Sequence, residues 1–462
     1  MTTLRCRIRR PFWVRVCIVT PYALAVLGSI LFARTVVAQG PEVTTASSNH
    51  KQDVSIGDSL RRPGSAPLHI LYIHGIGAVD AGGSYVLRKK ICEFLKDCTT
   101  PDGETRLPRE YADVEDFSPN APIPTWTYLG SQIWKTPEQW HAAAPFVDHY
   151  VITRTKGKSI FVDELNWWPL TMALKCQYIL KDEALLAGTK SSYLNLCTKS
   201  PERPGSFDWL SADTVHSLEA NRSRAAYLNR NVKIGLMDWG MSDALLAVGP
   251  MQDLLIESLR QLLVKSVVAG EPKALEELVS GDVGTPDSEY IVVSHSLGSF
   301  LVFSALNSQK HSSAKLARPD STEAATPKPG VVAGAFTYVL RHTGQAYFFA
   351  NQVPLLELAM LRDPSQSADL TNYAIDLAHW GDVRTRAGGS KPQVVAWSDS
   401  SDLLSWYVPD IQGVNVVNLY AKNAFRWFGL IEGPLAAHDK YASNKAVIRA
   451  LFSPKQVIRT DK

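Results

Sequence analysis

The sequence predicts an α/β protein, with a largely parallel central sheet covered by helices on both faces. Two observations carry that reading. Short apolar runs recur at 160–162, 291–293, 347–350 and 394–397, with largely apolar stretches at 68–73 and 414–420, the pattern of strands in a covered sheet. Between them lie segments of helical period: Leu87, Ile91, Phe94 and Leu95; Leu255, Leu259, Leu262 and Leu263; Phe300, Leu301, Phe303 and Ala305; Val447, Ile448, Leu451 and Phe452. No internal repeat is visible.

The 462 residues are 45% hydrophobic and 20% charged, enough apolar material for a large core. The formal net charge of +3 is small for this length and gives no nucleic-acid footprint, so no nucleic-acid partner is expected.

The first residues differ from the rest. Arg5, Arg7, Arg9, Arg10 and Arg15 precede an uncharged apolar run at 16–33, and no acidic residue occurs before Glu42. Val36-Val37-Ala38 then offers small residues to a signal peptidase. Residues 1–38 are therefore expected to be an export signal to the periplasm or outside, the alternative being a membrane anchor that would associate the protein with a bilayer. Residues 39–67 are polar, without periodicity, and are expected to be a linker. Outside the export segment stand Cys92, Cys98, Cys176 and Cys197. Local pairs Cys92–Cys98 and Cys176–Cys197 are the economical expectation for an oxidising compartment, although four cysteines allow three connectivities.

The 68–73 run leads into His74-Gly75-Ile76-Gly77, where glycines let backbone N–H groups approach a ligand. Residues from 101 to about 150 carry Pro, Trp and turn residues and give no firm element. The 160–162 run leads to Glu164, an isolated carboxylate expected to be structural. Residues 308–330 read as a polar loop.

The chain is organised around Ser294-His295-Ser296-Leu297-Gly298, between the 291–293 strand and the helix that follows. Small residues two positions either side of Ser296 suit a sharp strand-to-helix turn, which lifts a serine hydroxyl above the sheet edge. The same turn sets the Leu297 N–H at a helix start, where it can face a developing oxyanion. A serine nucleophile needs an imidazole to take its proton and a carboxylate to hold that imidazole, and at such a turn the chain order is Ser, acid, His. Downstream of Ser296 lie His311, His342, His379 and His438; only His438 follows the carboxylates of the 394–397 strand's loop. For the acid, Asp402 stands ahead of Asp399, with Asp410 third. The acid not used is expected to make Asx-type turn contacts.

Taken together, His74-Gly75-Ile76-Gly77 after a strand, Ser294-His295-Ser296-Leu297-Gly298, Asp402 and His438 resemble the alpha/beta-hydrolase superfamily over roughly 68–455. The resemblance implies an eight-stranded, mostly parallel sheet, with Ser296 as nucleophile, His438 as general base and acid, and Asp402 as its orienter. It implies oxyanion donors at the Leu297 N–H and in the Gly75–Ile76 loop, a structural role for His74, and no metal or cofactor. Ser294 departs from the usual glycine. The distance from His74 to Ser296 implies a large insertion, about 101–285, able to form a cap.

The expected activity is hydrolysis of carboxylic esters, lipase or esterase type, on a small-molecule or lipid substrate. Thioester hydrolysis and acyl transfer use the same machinery, and a non-catalytic binding protein on the same fold is the competing class. Of the twelve tryptophans, Trp126, Trp134, Trp140, Trp167 and Trp168 fall in the insertion and suit either an apolar pocket or, more simply, a core.

Overall fold

A computed structural model of the protein describes residues 55–62, 66–76, 82–98, 104–112, 143–175, 240–249, 251–270, 289–307, 329–359, 377–423, 426–427, 431–432 and 434–452. The expected export segment, Cys176, Cys197, Trp126, Trp134 and Trp140 lie outside them. Among the described residues no helix is long and apolar enough to cross a membrane.

Among the described residues the fold is α/β, built on a mixed but mostly parallel sheet of nine strands. At its centre β1 (Leu68–Ile73) lies parallel to β5 (Ile160–Asn166) on one side and to β6 (Glu289–His295) on the other. Beyond β6 the sheet continues in parallel through β7 (Thr343–Phe349), β8 (Gln393–Ser398) and β9 (Asn415–Tyr420). Beyond β5 it turns antiparallel at β4 (Phe146–Ile152), which pairs with the short edge strands β2 (Glu104–Arg106) and β3 (Glu110–Tyr111).

The central strands bury both faces, and alternate residues enter two cores. Leu71, Ile73, Val292, Ala346, Phe348, Val394 and Ala396 face one side. There they pack with α3 (Trp168–Lys175), α4 (Ser242–Val248), α5 (Gln252–Gly270), α6 (Leu297–Asn307), α7 (Pro329–His342), α8 (Val353–Ala359) and α9 (Leu377–Arg386). Leu68, Ile70, Ile291, Val293, Tyr347, Phe349, Val395 and Trp397 face the other. That side is covered by α1 (Ile56–Arg61), α2 (Tyr85–Leu95) and α11 (Lys445–Phe452). Every residue of α6 is buried, which explains why it is apolar all round rather than striped.

Three expectations need correction, and one strand falls where none was assigned. The resemblance implies eight strands; two separate short strands pair with β4, giving nine. The stretch 39–67 is not linker throughout, because α1 lies within it and packs Ile56 and Leu60 into the core. Ser55 and Asp58 form a capping box, each bonding the other's backbone N–H. Space there is so close that a Cβ on Gly57 would lie 2.2 Å from the Phe452 carbonyl oxygen. The stretch expected as an insertion, about 101–285, supplies β2 to β5 and α5 to the main sheet and its cover. Finally, β4 gave no sequence signal because Asp148 and His149 interrupt its apolar pattern. Arg106 and Arg109 hold Asp148 at 2.8 and 2.7 Å, and Asp163 holds His149 at 2.7 Å.

The disulfide Cys92–Cys98 is present, with Cα atoms 5.5 Å apart. It ties the last turn of α2 to the residue that bridges Arg154.

Candidate active site

From β1 the chain first builds β2 to β5 on one side and then β6 on the other. The carboxyl ends of β1 and β6 therefore flank the point where strand order reverses, the place where loops part and leave a crevice in open α/β sheets.

Two glycines bring the loops leaving these strands together. A Cβ on Gly298 would lie 2.6 Å from the His74 carbonyl oxygen, and one on Gly75 would lie 2.7 Å from the Ser296 Cβ and 2.5 Å from His295 Nδ1. Backbone thus approaches the serine where any side chain would collide. Ser296 takes φ 54°, a left-handed conformation rare outside glycine that costs about 1–3 kcal/mol. Its N–H donates to the Phe349 carbonyl at 2.6 Å, which fixes the turn to β7. The Ser294 hydroxyl, the departure from glycine, donates to the Tyr347 carbonyl at 3.4 Å. Leu297 opens α6, so its N–H is among those a helix leaves without an intrahelical carbonyl. Ile76 follows Gly75, half-buried.

Ser296, His438 and Asp402 come together in one chain of hydrogen bonds. Ser296 Oγ lies 2.9 Å from His438 Nε2, and His438 Nδ1 lies 2.9 and 3.1 Å from the two Asp402 oxygens. All three are buried. The carboxylate keeps the imidazole proton on Nδ1, which leaves Nε2 to accept the serine proton. The sequence suggested a loop for His438; it sits instead on a short helix, α10 (Pro434–Asp439). Pro434 at the first position and two alanines suffice for one turn.

The neighbouring acids are used otherwise. Asp399 accepts the N–H groups of Ser401 and Asn423 at 2.9 and 2.6 Å, and Asp410 is exposed. Glu164 accepts the N–H groups of Gly82, Gly83 and Ser84 at 3.0, 2.8 and 3.1 Å and the Ser84 hydroxyl at 2.7 Å. It thereby anchors the start of α2. His342 is buried at the end of α7, and burial with two nearby arginines pushes its pKa down to about 3.

Two further histidines line the site, both neutral at pH 7. Burial and the nearby His438 push His295 down to about 4, and its Nε2–H donates to the His438 carbonyl at 2.9 Å. Burial pushes His74 down to about 3, with the Lys175 charge adding to the effect; its Nδ1 bonds the Gly75 carbonyl at 2.8 Å. Trp167 stacks on His74 at 4.9 Å and donates to its carbonyl, so this tryptophan is core that supports the loop, as is the buried Trp168. Among the described residues no group of three His, Cys, Asp or Glu side chains converges as metal ligands.

Sequence reasoning missed two residues that touch this chain. Tyr441, in a short 3₁₀ turn after α10, bonds Asp402; Gln352, after β7, bonds Ser296 Oγ at 2.6 Å. Neither position carries a local signal, because each is set by tertiary contacts. No family model matches the chain, and no curated protein or solved structure matches it.

Proposed function

We propose that the protein is a serine hydrolase of the alpha/beta-hydrolase type that cleaves carboxylic esters, small-molecule or lipid, through an acyl-enzyme. The observation that carries this reading is the hydrogen-bonded chain from Ser296 Oγ through His438 to Asp402 at the sheet's reversal point. The close approach of Gly75 to Ser296 supports the same reading.

Ser296 Oγ attacks the ester carbonyl while its proton passes to His438 Nε2, and Asp402 stabilises the imidazolium. The carbonyl oxygen becomes an oxyanion facing the Leu297 N–H and the Gly75–Ile76 backbone. The alcohol leaves with the proton from His438. Water then attacks the acyl carbon, giving its proton to His438, and the acid departs as Ser296 is regenerated. The neutral state of His295 matters here, since a second cation beside His438 would oppose the imidazolium.

We further propose that the protein is exported. The arginine-rich start with its apolar run supports that reading, and the Cys92–Cys98 disulfide suits an oxidising compartment.

The test is hydrolysis of p-nitrophenyl esters graded in acyl length by the wild type and by Ser296→Ala. Turnover by the wild type and its loss in a folded Ser296→Ala protein is the expected result. Equal turnover by both excludes this mechanism.

A further inference from the structure

Gln352 is a buried side chain placed on the reacting atom itself. The chain leaves β7 through Ala350, whose φ of 51° turns the backbone toward Ser296. Asn351 fixes that turn: its side-chain oxygen lies 3.1 Å from the Val353 N–H and 3.3 Å from the Ser299 hydroxyl. Its carbonyl accepts the Trp406 N–H at 2.9 Å. Gln352, only 2% exposed, then reaches Ser296 Oγ with its amide nitrogen at 2.6 Å.

The network fixes which end of the amide faces the serine. His438 Nδ1 keeps its proton against Asp402, so Nε2 accepts and Ser296 gives its single proton there. Only an N–H of Gln352 can complement the remaining contact. The tetrahedral directions of Oγ are then the Cβ bond, the O–H toward His438, one lone pair receiving Gln352, and one lone pair free to attack.

Resting on the serine-hydrolase reading, we propose that Gln352 is a catalytic residue that acts mainly in deacylation, by donating to Ser296 Oγ as it becomes the leaving group. In that step water adds to the acyl carbon and its proton goes to His438 Nε2. The C–Oγ bond then breaks with its electron pair on Oγ, and the His438 proton transfers to Oγ. Negative charge grows on Oγ during the break, and a donor already in place stabilises it without reorganisation. In acylation the resting Ser296 hydroxyl already accepts this bond before attack, so that step gains less from it than deacylation, which starts from the weakly accepting ester oxygen of the acyl-enzyme.

The experiment compares the full wild-type protein with Gln352→Met, near in size but without a donor, and Gln352→Glu, whose carboxylate repels the growing charge. A fluorophosphonate probe reads assembly of the nucleophile independently of deacylation, and circular dichroism checks folding. Gln352→Met is expected to label like the wild type and, with p-nitrophenyl butyrate, to release a burst of p-nitrophenolate. Steady-state kcat should then fall on the order of tenfold or more, with kcat/KM nearly unchanged and the butyryl-enzyme visible by intact mass. Gln352→Glu should show the larger loss. Labelled variants with unchanged kcat and no acyl-enzyme overturn the role of Gln352 but leave the hydrolase reading standing. A folded Gln352→Met protein that fails to label, beside a labelled wild type, also overturns it, by making Gln352 a support of the nucleophile. A wild type that neither labels nor turns over removes the hydrolase reading, and this proposal with it.

Discussion

The phenol of Tyr441 lies 3.1 Å from Asp402 Oδ2 and donates to it, while accepting the Asp399 N–H at 2.6 Å. One buried hydroxyl thus joins the acid beside His438 to the start of its own loop. The Leu404 N–H, at 2.9 Å from Asp402 Oδ1, adds the other support. Tyr441→Phe removes a donor from a buried carboxylate and leaves a buried N–H without its acceptor. The expected cost is about 1–3 kcal/mol of stability. Ester turnover should fall severalfold rather than vanish, because Leu404 still holds the carboxylate. Urea unfolding and kcat on one ester check both, and an unchanged unfolding midpoint contradicts the structural part.

The two aspartates of that loop should separate cleanly. In Asp402→Asn the amide no longer favours the Nδ1–H tautomer of His438, and turnover should drop by orders of magnitude in a folded protein. Asp399→Asn should keep most activity. Since both Asp399 oxygens accept backbone N–H groups, an amide satisfies only one of them, so the change should lower stability. Severe loss of turnover in Asp399→Asn beside near-normal Asp402→Asn would reverse the roles.

Gly75→Ala should damage the site more than the fold. The added Cβ would press on Ser296 and His295 at 2.7 and 2.5 Å, forcing apart the two loops that meet there. Turnover should fall by at least about tenfold, a misplacement cost set by geometry rather than chemistry. Normal turnover would mean that the Gly75 backbone takes no part in positioning Ser296.

A pH dependence of stability follows from a second buried cluster, away from the serine. Burial opposes charge on both His149 and Asp163, yet their 2.7 Å bond outweighs it, raising His149 above its ordinary 6.5 and lowering Asp163 below its ordinary 3.8. His69 on Asp163, and Glu110 and Asp148 on His149, act in the same direction. The His149 contribution is full below pH 6.5 and is lost as pH rises through its raised value; the Asp163 contribution is full above pH 3.8 and is lost as pH falls through its lowered value. The wild type's Tm advantage over His149→Gln should therefore be greatest between those limits and shrink as the pH rises through the raised His149 value. A pH-independent difference contradicts this account.

What could be read in the sequence follows from how local each signal is. The strands β1, β6 and β8 are largely apolar because both faces are covered, and the turn at Ser296 is written in five consecutive residues. Asp402 and His438 are far apart in sequence, but chain order singles them out as candidates. Gln352 and Tyr441 are different. Gln352 reaches Ser296 only because Ala350 turns the chain, and Tyr441 reaches Asp402 only because the residues after α10 tighten into a 3₁₀ turn. The strand β4 hides for a related reason, since its charged residues have partners on other strands that composition does not reveal.

Ser296 as an activated nucleophile is tested most directly by intact and peptide mass spectrometry of the protein after treatment with a fluorophosphonate. A serine hydrolase with Ser296 activated by His438 should gain one adduct, located on Ser296, and Ser296→Ala and His438→Ala should gain none. Absence of an adduct on the folded wild-type protein, or an adduct on a different serine, would contradict the account.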